Sequence, residues 1–481
     1  MKKIIIAIGI VVSLFTYSCS KDFGDMNTNK KAATTAIPEA EFTNAQKAYV
    51  DLMATPNVNT NIFELITQYW AETQYPQESQ YELTERNIPR NWWATLYKDV
   101  IANIEDAQKG ISAKQTPLPE DVKAQSNSLA ICKILNVKAY TDLVVTFGDI
   151  PFSEAVDINA TTTPKYDDQK DIYYALVDSL DAALNMLDAN YGSTLGDQDL
   201  FYQGDVASWA KLGNSIKLYL GLLIADIDPT KAGAMVKAAS PLAFTSSSDN
   251  ATLRYLSAPP NTNPIWVNLV QGGRDDFIPT STIVNEMEDL NDPRMDIYFA
   301  NKIDGKYVGG VTGTGNSYSE FSHPGDGLKE PNYPFTIFDY AQVEFLRAEA
   351  VERGFNVGGT AMSHYNKAVT ASILQWGGSA SQAAVYLLQP SVAYLTAAGT
   401  WKQKIGIQSW IHFYLRGFDS WTQQRKLDFP KLVAPPLAVS GYPVRYTYPQ
   451  NEYTLNQENV EAAASKIGGD KVETKLFWDK N

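Results

Sequence analysis

Residues 338–375 read FDYAQVEFLRAEAVERGFNVGGTAMSHYNKAVTASILQ, two helical runs on either side of a glycine-containing break. The first, Phe338 to Arg353, stops at Gly354, the residue type expected just past a helix C-terminus. The second, Ala361 to Gln375, follows Asn356-Val357-Gly358-Gly359. Within it Ala361-x-x-x-Tyr365-x-x-Ala368 fits the second helix of a tetratricopeptide unit, while Ala348 and Ala350 supply small residues where two helices approach closely. No clean period near the ~34 residues of that repeat extends along the chain, so further repeats are degenerate. The pair predicts a mainly α fold in which tetratricopeptide-like helix pairs form a scaffold.

Working outward, the helical period recurs on both sides. Phe63, Ile66, Tyr69 and Trp70 fall on one stripe, and Trp93, Leu96, Tyr97, Val100, Ile101 and Ile104 on another. Leu129 to Val145 reads as a mostly buried helix. Asp171 to Leu187 carries Ile172, Leu176, Leu180, Leu184 and Leu187 along one face. Trp209 to Ile227 ends at Asp228-Pro229, a stop signal. Residues 240–333 differ: they are rich in Gly, Pro, Asn and Ser, and only Ile283 to Leu290 reads as helix. A loop-rich lobe carried by helices is the expected organisation, within one body spanning 37–481.

The amino end adds an address. Lys2 and Lys3 precede Ile4 to Phe15, an uncharged run of roughly 18 Å as a helix, well short of a ~30 Å hydrocarbon core. That describes a secretory signal over 1–18. It ends Ser18-Cys19, as bacterial lipoprotein signals do, which implies lipid on Cys19. Residues 19–36 are polar and poor in apolar side chains, suited to a tether. Cys132, the other of 2 cysteines, then has no disulfide partner, and the fold must stand on its core.

Charge and motifs narrow the chemistry. A net charge of −14 and a pI near 4.8 disfavour nucleic acid, which needs a basic face to displace counterions. The 3 histidines, His323, His364 and His412, are scattered, so a zinc site on His and Cys is not expected. There is no G-x-S-x-G elbow and no phosphate-binding loop. Asp25-x-Asn27-x-Asn29 opens like a calcium loop but lacks its glycine and closing glutamate. No catalytic residue, metal or cofactor is therefore assigned. A two-carboxylate glycosidase stays open as an alternative, with Asp275-Asp276 the tightest acidic pair in an irregular region.

Several segments together resemble the SusD/RagB outer-membrane lipoproteins. Gly148-Asp149-Ile150-Pro151-Phe152-Ser153-Glu154-Ala155 is similar to their "GDIPYSEA" turn. Leu290-Asn291-Asp292-Pro293-Arg294-Met295 is similar to "NDPRL", and Ala341 to Ala350 to their "AEVLFLLAEA" helix. Gly417-Phe418-Asp419-Ser420-Trp421 to Arg425, Tyr448-Pro449-x-x-Glu452 and Asn456-x-x-Asn459 extend the likeness to the tail. The resemblance implies a non-catalytic, outward-facing outer-membrane lipoprotein. It would sit as a hinged lid over a SusC-like TonB-dependent barrel and deliver oligosaccharides or peptides to it. The matching turns themselves read as structural, since Gly148, Pro151 and Pro293 redirect the chain out of helices. Trp410, Phe418 and Trp421 read as core or barrel-facing surface.

Ligand contact needs an exposed aromatic beside amides, guanidinium or carboxylate. Two segments offer this. One is Tyr75 to Tyr81 with Asn91-Trp92-Trp93; Trp93 belongs to the apolar stripe, which leaves Trp92 pointing elsewhere. The other is Trp266 with Gln271-Gly272-Gly273-Arg274-Asp275-Asp276. Tyr75, Tyr81, Trp92, Trp266, Arg274 and Asp275 are the candidate ligand-binding residues. Nothing in the sequence brings the two segments together. The competing functional readings are a helical scaffold that binds only proteins and a surface glycosidase or peptidase.

Overall fold

The computed structural model describes residues 37–157 and 159–480. The signal, Cys19, the tether and the Asp25-x-Asn27-x-Asn29 stretch lie outside the described residues. In chain order the main elements are α1 (Pro38–Ala54), β1 (Trp70–Glu72), α2 (Pro119–Phe147), α3 (Gln169–Met186), α4 (Val206–Leu223) and α5 (Pro229–Ala239). The lobe follows with β2 (Ala251–Leu253), β3 (Phe277–Pro279), α6 (Ser281–Asp289), β4 (Phe299–Ala300), β5 (His323–Pro324) and β6 (Phe335–Phe338). Then come α7 (Tyr340–Glu352), α8 (Ala361–Gln375), α9 (Ala380–Leu387), α10 (Trp401–His412) and α11 (Gly417–Leu427). Residues Pro38–Asn481 form one unit.

Helices pack as neighbours in sequence: α2 on α3, α4 on α5, α7 on α8, α8 on α9 and α10 on α11. Local chemistry sets their starts. Asp168, Asp205, Asp228, Asp339 and Thr360 each accept a backbone N–H of the first turn, satisfying donors that no helix can satisfy itself. Gly354 sits just past α7 at φ +79°, a conformation that costs glycine little. Ala348 and Ala350 on α7 are fully buried, as is Ala368 on α8. The Tyr365 hydroxyl donates to the Val392 carbonyl at 2.9 Å, tying the pair to the segment after α9. The mainly α, tetratricopeptide-like expectation holds.

The lobe is irregular; among the described residues there are three two-stranded antiparallel sheets, β1–β3, β2–β6 and β4–β5, to each of which it contributes a strand. The Gly148 turn is pinned from two directions. Asp149 accepts the Gln169 N–H at 3.0 Å at the start of α3, and its carbonyl accepts the Tyr448 hydroxyl at 2.9 Å. Gly148 itself stands at φ +90°. Asp292 and Arg294 form a fully buried ion pair at 2.5 Å, so this segment is a structural joint.

Two periodic readings need correction. Phe63 to Trp70 is helical only over Phe63–Ile66; Gln68 turns left-handed at φ 57° and Trp70 starts β1. Distant partners outbid the local helix. The Tyr69 hydroxyl bonds Ser420 at 2.7 Å, the Trp70 indole bonds Tyr414 at 2.8 Å, and the Trp410 indole bonds the Thr67 carbonyl at 3.0 Å. Second, the buried stripe around 93–104 begins at Trp92, not Trp93. Residues Thr95–Ile101 form a wide π-helical turn, which shifts the phase of a 3.6-residue count. Trp92, Leu96, Val100 and Ile104 are all fully buried, while Trp93 is half-buried against Tyr97, Phe147 and Tyr166.

Candidate functional site

The β1–β3 pair brings together the two segments that the sequence leaves apart. Trp70 faces Pro279, Ala71 faces Ile278 and Glu72 faces Phe277. The ladder continues beyond the strands. Thr73 N–H donates to the Asp276 carbonyl at 2.9 Å, and Thr73 Oγ1 to the Asp275 carbonyl at 2.6 Å. A third segment joins from the lobe. Asn316 N–H reaches the Thr73 carbonyl at 3.1 Å and Asn316 Nδ2 the Glu72 carbonyl at 2.9 Å. Gln80 Nε2 holds the Gly313 carbonyl at 2.8 Å.

This three-segment frame carries a set of exposed or half-exposed side chains, the Tyr75 platform. Tyr75 is 69 % exposed, at a left-handed φ of 55°. Arg274 and Asp276 form a half-exposed ion pair at 2.6 Å, and Asp275 is exposed. Tyr318 lies half-buried, stacked on His323 with ring centroids 3.8 Å apart and planes 9° from parallel. Burial, then the carboxylates of Asp275 and Asp326, push the Tyr318 hydroxyl pKa upward, so it stays a hydrogen-bond donor. Exposed rings can cover the C–H face of a pyranose, while guanidinium and carboxylates select among hydroxyls.

Not every candidate joins this platform. Tyr75, Arg274 and Asp275 do. Trp92 does not: it is fully buried between Phe63 and Phe418, with centroids at 4.9 and 5.2 Å. Tyr81 does not either: it is 2 % exposed, meets Tyr442 edge-on, and burial pushes its hydroxyl up to about 12. Both expectations are corrected, since neither ring has a face open to a ligand. Trp266 is half-buried on the short helix Pro264–Trp266, just ahead of Gln271 to Asp276. Its ring has no aromatic neighbour among the described residues. Sequence reasoning missed Tyr318, His323 and Asn316. The one available signal was a lone aromatic in the polar run Asn316-Ser317-Tyr318-Ser319.

The segment that carries Tyr75 also holds a buried acid pair, Glu72 and Glu78. Glu72 accepts the Ser79 N–H at 2.9 Å and its hydroxyl at 2.7 Å, while Glu78 pairs with Arg86. Burial, then the Glu78 carboxyl, push Glu72 from 4.5 up to about 8. Folding therefore takes up a proton there, and the stabilisation is full below about pH 4.5 and lost as pH rises through about 8. Glu72→Gln keeps an acceptor for Ser79 and offers an N–H to Glu78. It is expected to flatten the fall in urea midpoint between about pH 5 and 8. Glu64, buried and also pushed up to about 8, retains its share of the slope. An unchanged profile in the variant would refute this assignment.

The catalytic alternative has one geometric echo. His412 lies between Ser372 Oγ, 3.0 Å from Nδ1, and Asp339, 3.0 Å from Nε2. All three side chains are sealed in the core, and Ser372 Oγ already accepts from Arg294 at 2.7 Å. This relay is a structural joint between α7, α8 and α10. Among the described residues no cluster of three or more His, Cys, Asp or Glu could hold a metal ion. No helix among them is long and apolar enough to cross a membrane.

Comparison with known proteins identifies the family. A SusD-like family model, described as starch-binding and associating with the outer membrane, matches residues 28–449. No curated protein matches. Among solved structures, a chitin-binding protein is 26% identical with a TM-score of 0.79, covering 92% of this chain and 100% of its own. A SusD homolog from Bacteroides uniformis is 25% identical with a TM-score of 0.77, covering 93% and 100%. A chitin-binding SusD homolog from Flavobacterium johnsoniae, 24% identical over 92% and 98%, shares the fold at a TM-score of 0.76. With most of its length matched by the family model, the chain belongs to the SusD/RagB family.

Proposed function

We propose that this chain is a non-catalytic, cell-surface glycan-binding lipoprotein that captures oligosaccharides and delivers them to a SusC-like TonB-dependent barrel. The observation that carries the reading is that Tyr75, Arg274 and Asp275 are all exposed on segments that one hydrogen-bonded frame joins to the segment of Tyr318. The starch-binding description of the family and the chitin-binding relative support a carbohydrate as the ligand class. Titration calorimetry with maltooligosaccharides and chitooligosaccharides tests it. Tyr75→Ala and Tyr318→Ala are each expected to weaken the bound sugar by roughly tenfold, about 1.4 kcal/mol. Their urea midpoints should stay at the wild-type value. Failure of every sugar to bind, or wild-type affinity in both variants, overturns the reading.

The anchor in this reading is Cys19, which would keep the body on the outer face of the outer membrane. Cys19→Ala is expected to abolish incorporation of radiolabelled palmitate and to release the protein from membrane fractions. Retained label in the variant would defeat the lipid assignment. The barrel is tested separately, by its recovery with the wild-type protein from detergent-solubilised native membranes.

A further inference from the structure

A groove that shares no lining residue with the Tyr75 platform runs beside α1. It encloses about 630 Å³ between α1, the turn from Leu200 to Gln203, and the chain from Thr252 through Leu256 to Asn261. That volume lies within the range of small-molecule sites. A neighbouring cavity of about 410 Å³ shares Lys47 and continues along α1 past Pro260 to Asn268. Together they have room for more than one sugar ring.

The charge of the lining runs against that of the molecule. The chain carries −14, yet the charged residues lining the groove are both cations, Lys47 and Arg254. Lys47 is already compensated by Asp51 at 2.5 Å, and Asp51 also accepts the Tyr255 hydroxyl at 2.8 Å. Arg254 is exposed and has no hydrogen-bond or ion-pair partner among the described residues. Aromatic rings also line the groove: the half-buried Phe201 and Tyr202 rest on Trp209, with centroids at 6.1 and 5.7 Å. Asn44 and Asn261 put exposed amides at the rim.

These parts fit one ligand chemistry. Ring faces take the C–H surface of a pyranose, amides bond hydroxyls, and a guanidinium donates two parallel N–H bonds to a carboxylate. A neutral glycan leaves the charge of Arg254 uncompensated, and a small inorganic anion leaves the aromatic rings unused. We propose that this groove is a second carbohydrate site, selective for acidic oligosaccharides, in which Arg254 pairs with a uronate carboxylate. It rests on the carbohydrate reading above for the choice of sugar, but uses different residues.

Titration of the purified protein with tetragalacturonate tests the groove, with tetraglutamate as a carboxylate-bearing peptide control. Tetragalacturonate is expected to bind. Arg254→Gln should weaken it by roughly tenfold while leaving the affinity for neutral oligosaccharides and the urea midpoint unchanged. Tyr75→Ala should leave tetragalacturonate binding intact, which separates failure of this site from failure of the platform. The proposal is overturned if wild type does not bind tetragalacturonate or if Arg254→Gln binds it equally well. Loss of the uronate in Tyr75→Ala, or tetraglutamate binding as tightly, overturns it too.

Discussion

Asp339→Ala is expected to lower stability by about 3–5 kcal/mol, read as a shift of the urea unfolding midpoint. Asp339 is fully buried and serves four partners at once. It caps α7 through Gln342 N–H at 2.7 Å and accepts Arg416 Nη1 at 2.6 Å, His412 Nε2 at 3.0 Å and Gln375 Nε2 at 3.2 Å. Burial alone would push its carboxyl upward, but the adjacent His412 and Arg416 outweigh that and hold it well below the ordinary range. Its stabilisation is accordingly present above about pH 4 and lost as pH falls through the lowered value. Alanine leaves the Arg416 cation without this partner in the core, and removing one member of a buried pair costs more than the pair contributes. Asp339→Asn, which keeps the cap but not the charge, should fall between wild type and alanine. A loss below about 1 kcal/mol in Asp339→Ala would show that the network is not holding α7, α8 and α10 together.

Trp92→Ala is the second large effect, again about 3–5 kcal/mol, for the loss of a buried indole and the cavity left behind. Its ring meets Phe63 at 72° and Phe418 at 35°, within the cluster that also holds Trp421 and Tyr446. Sugar affinity measured on the folded fraction should be unchanged. The opposite pattern, full stability with lost binding, would return Trp92 to the ligand site.

That contrast marks what a linear reading can reach. Helices with a regular period were legible, and Ala361–Gln375 falls where the sequence puts it. So was the Gly148 turn, because glycine at positive φ is a local requirement, although the Asp149 carboxylate that pins it reaches the Gln169 N–H at the start of α3. The facing of Trp92 and Trp93 was not legible, because a π turn changes the period without any residue announcing it. Tyr75 and Arg274 were identifiable as exposed candidates. The pairing of their segments was not, since β1 and β3 are three-residue strands joined across some two hundred positions. Tyr318 carried only the faint signal of a lone aromatic in a polar run, and Ser372, His412 and Asp339 belong to α8, α10 and the cap of α7, which only packing aligns.

The frame beneath the platform bears on how ligand preference can change. Its joining bonds come from main-chain groups and from Thr73, Gln80 and Asn316; none is made by the side chain of Tyr75 or Arg274. The residues that face the solute are therefore separable from those that hold the surface in shape. Under the proposed carbohydrate reading, drift at positions 75 and 274 would retune which sugar is favoured while the underlying lattice keeps its geometry. A surface already ordered before encounter also spends little conformational entropy on capture. Differences among such variants should then register chiefly as differences in residence time.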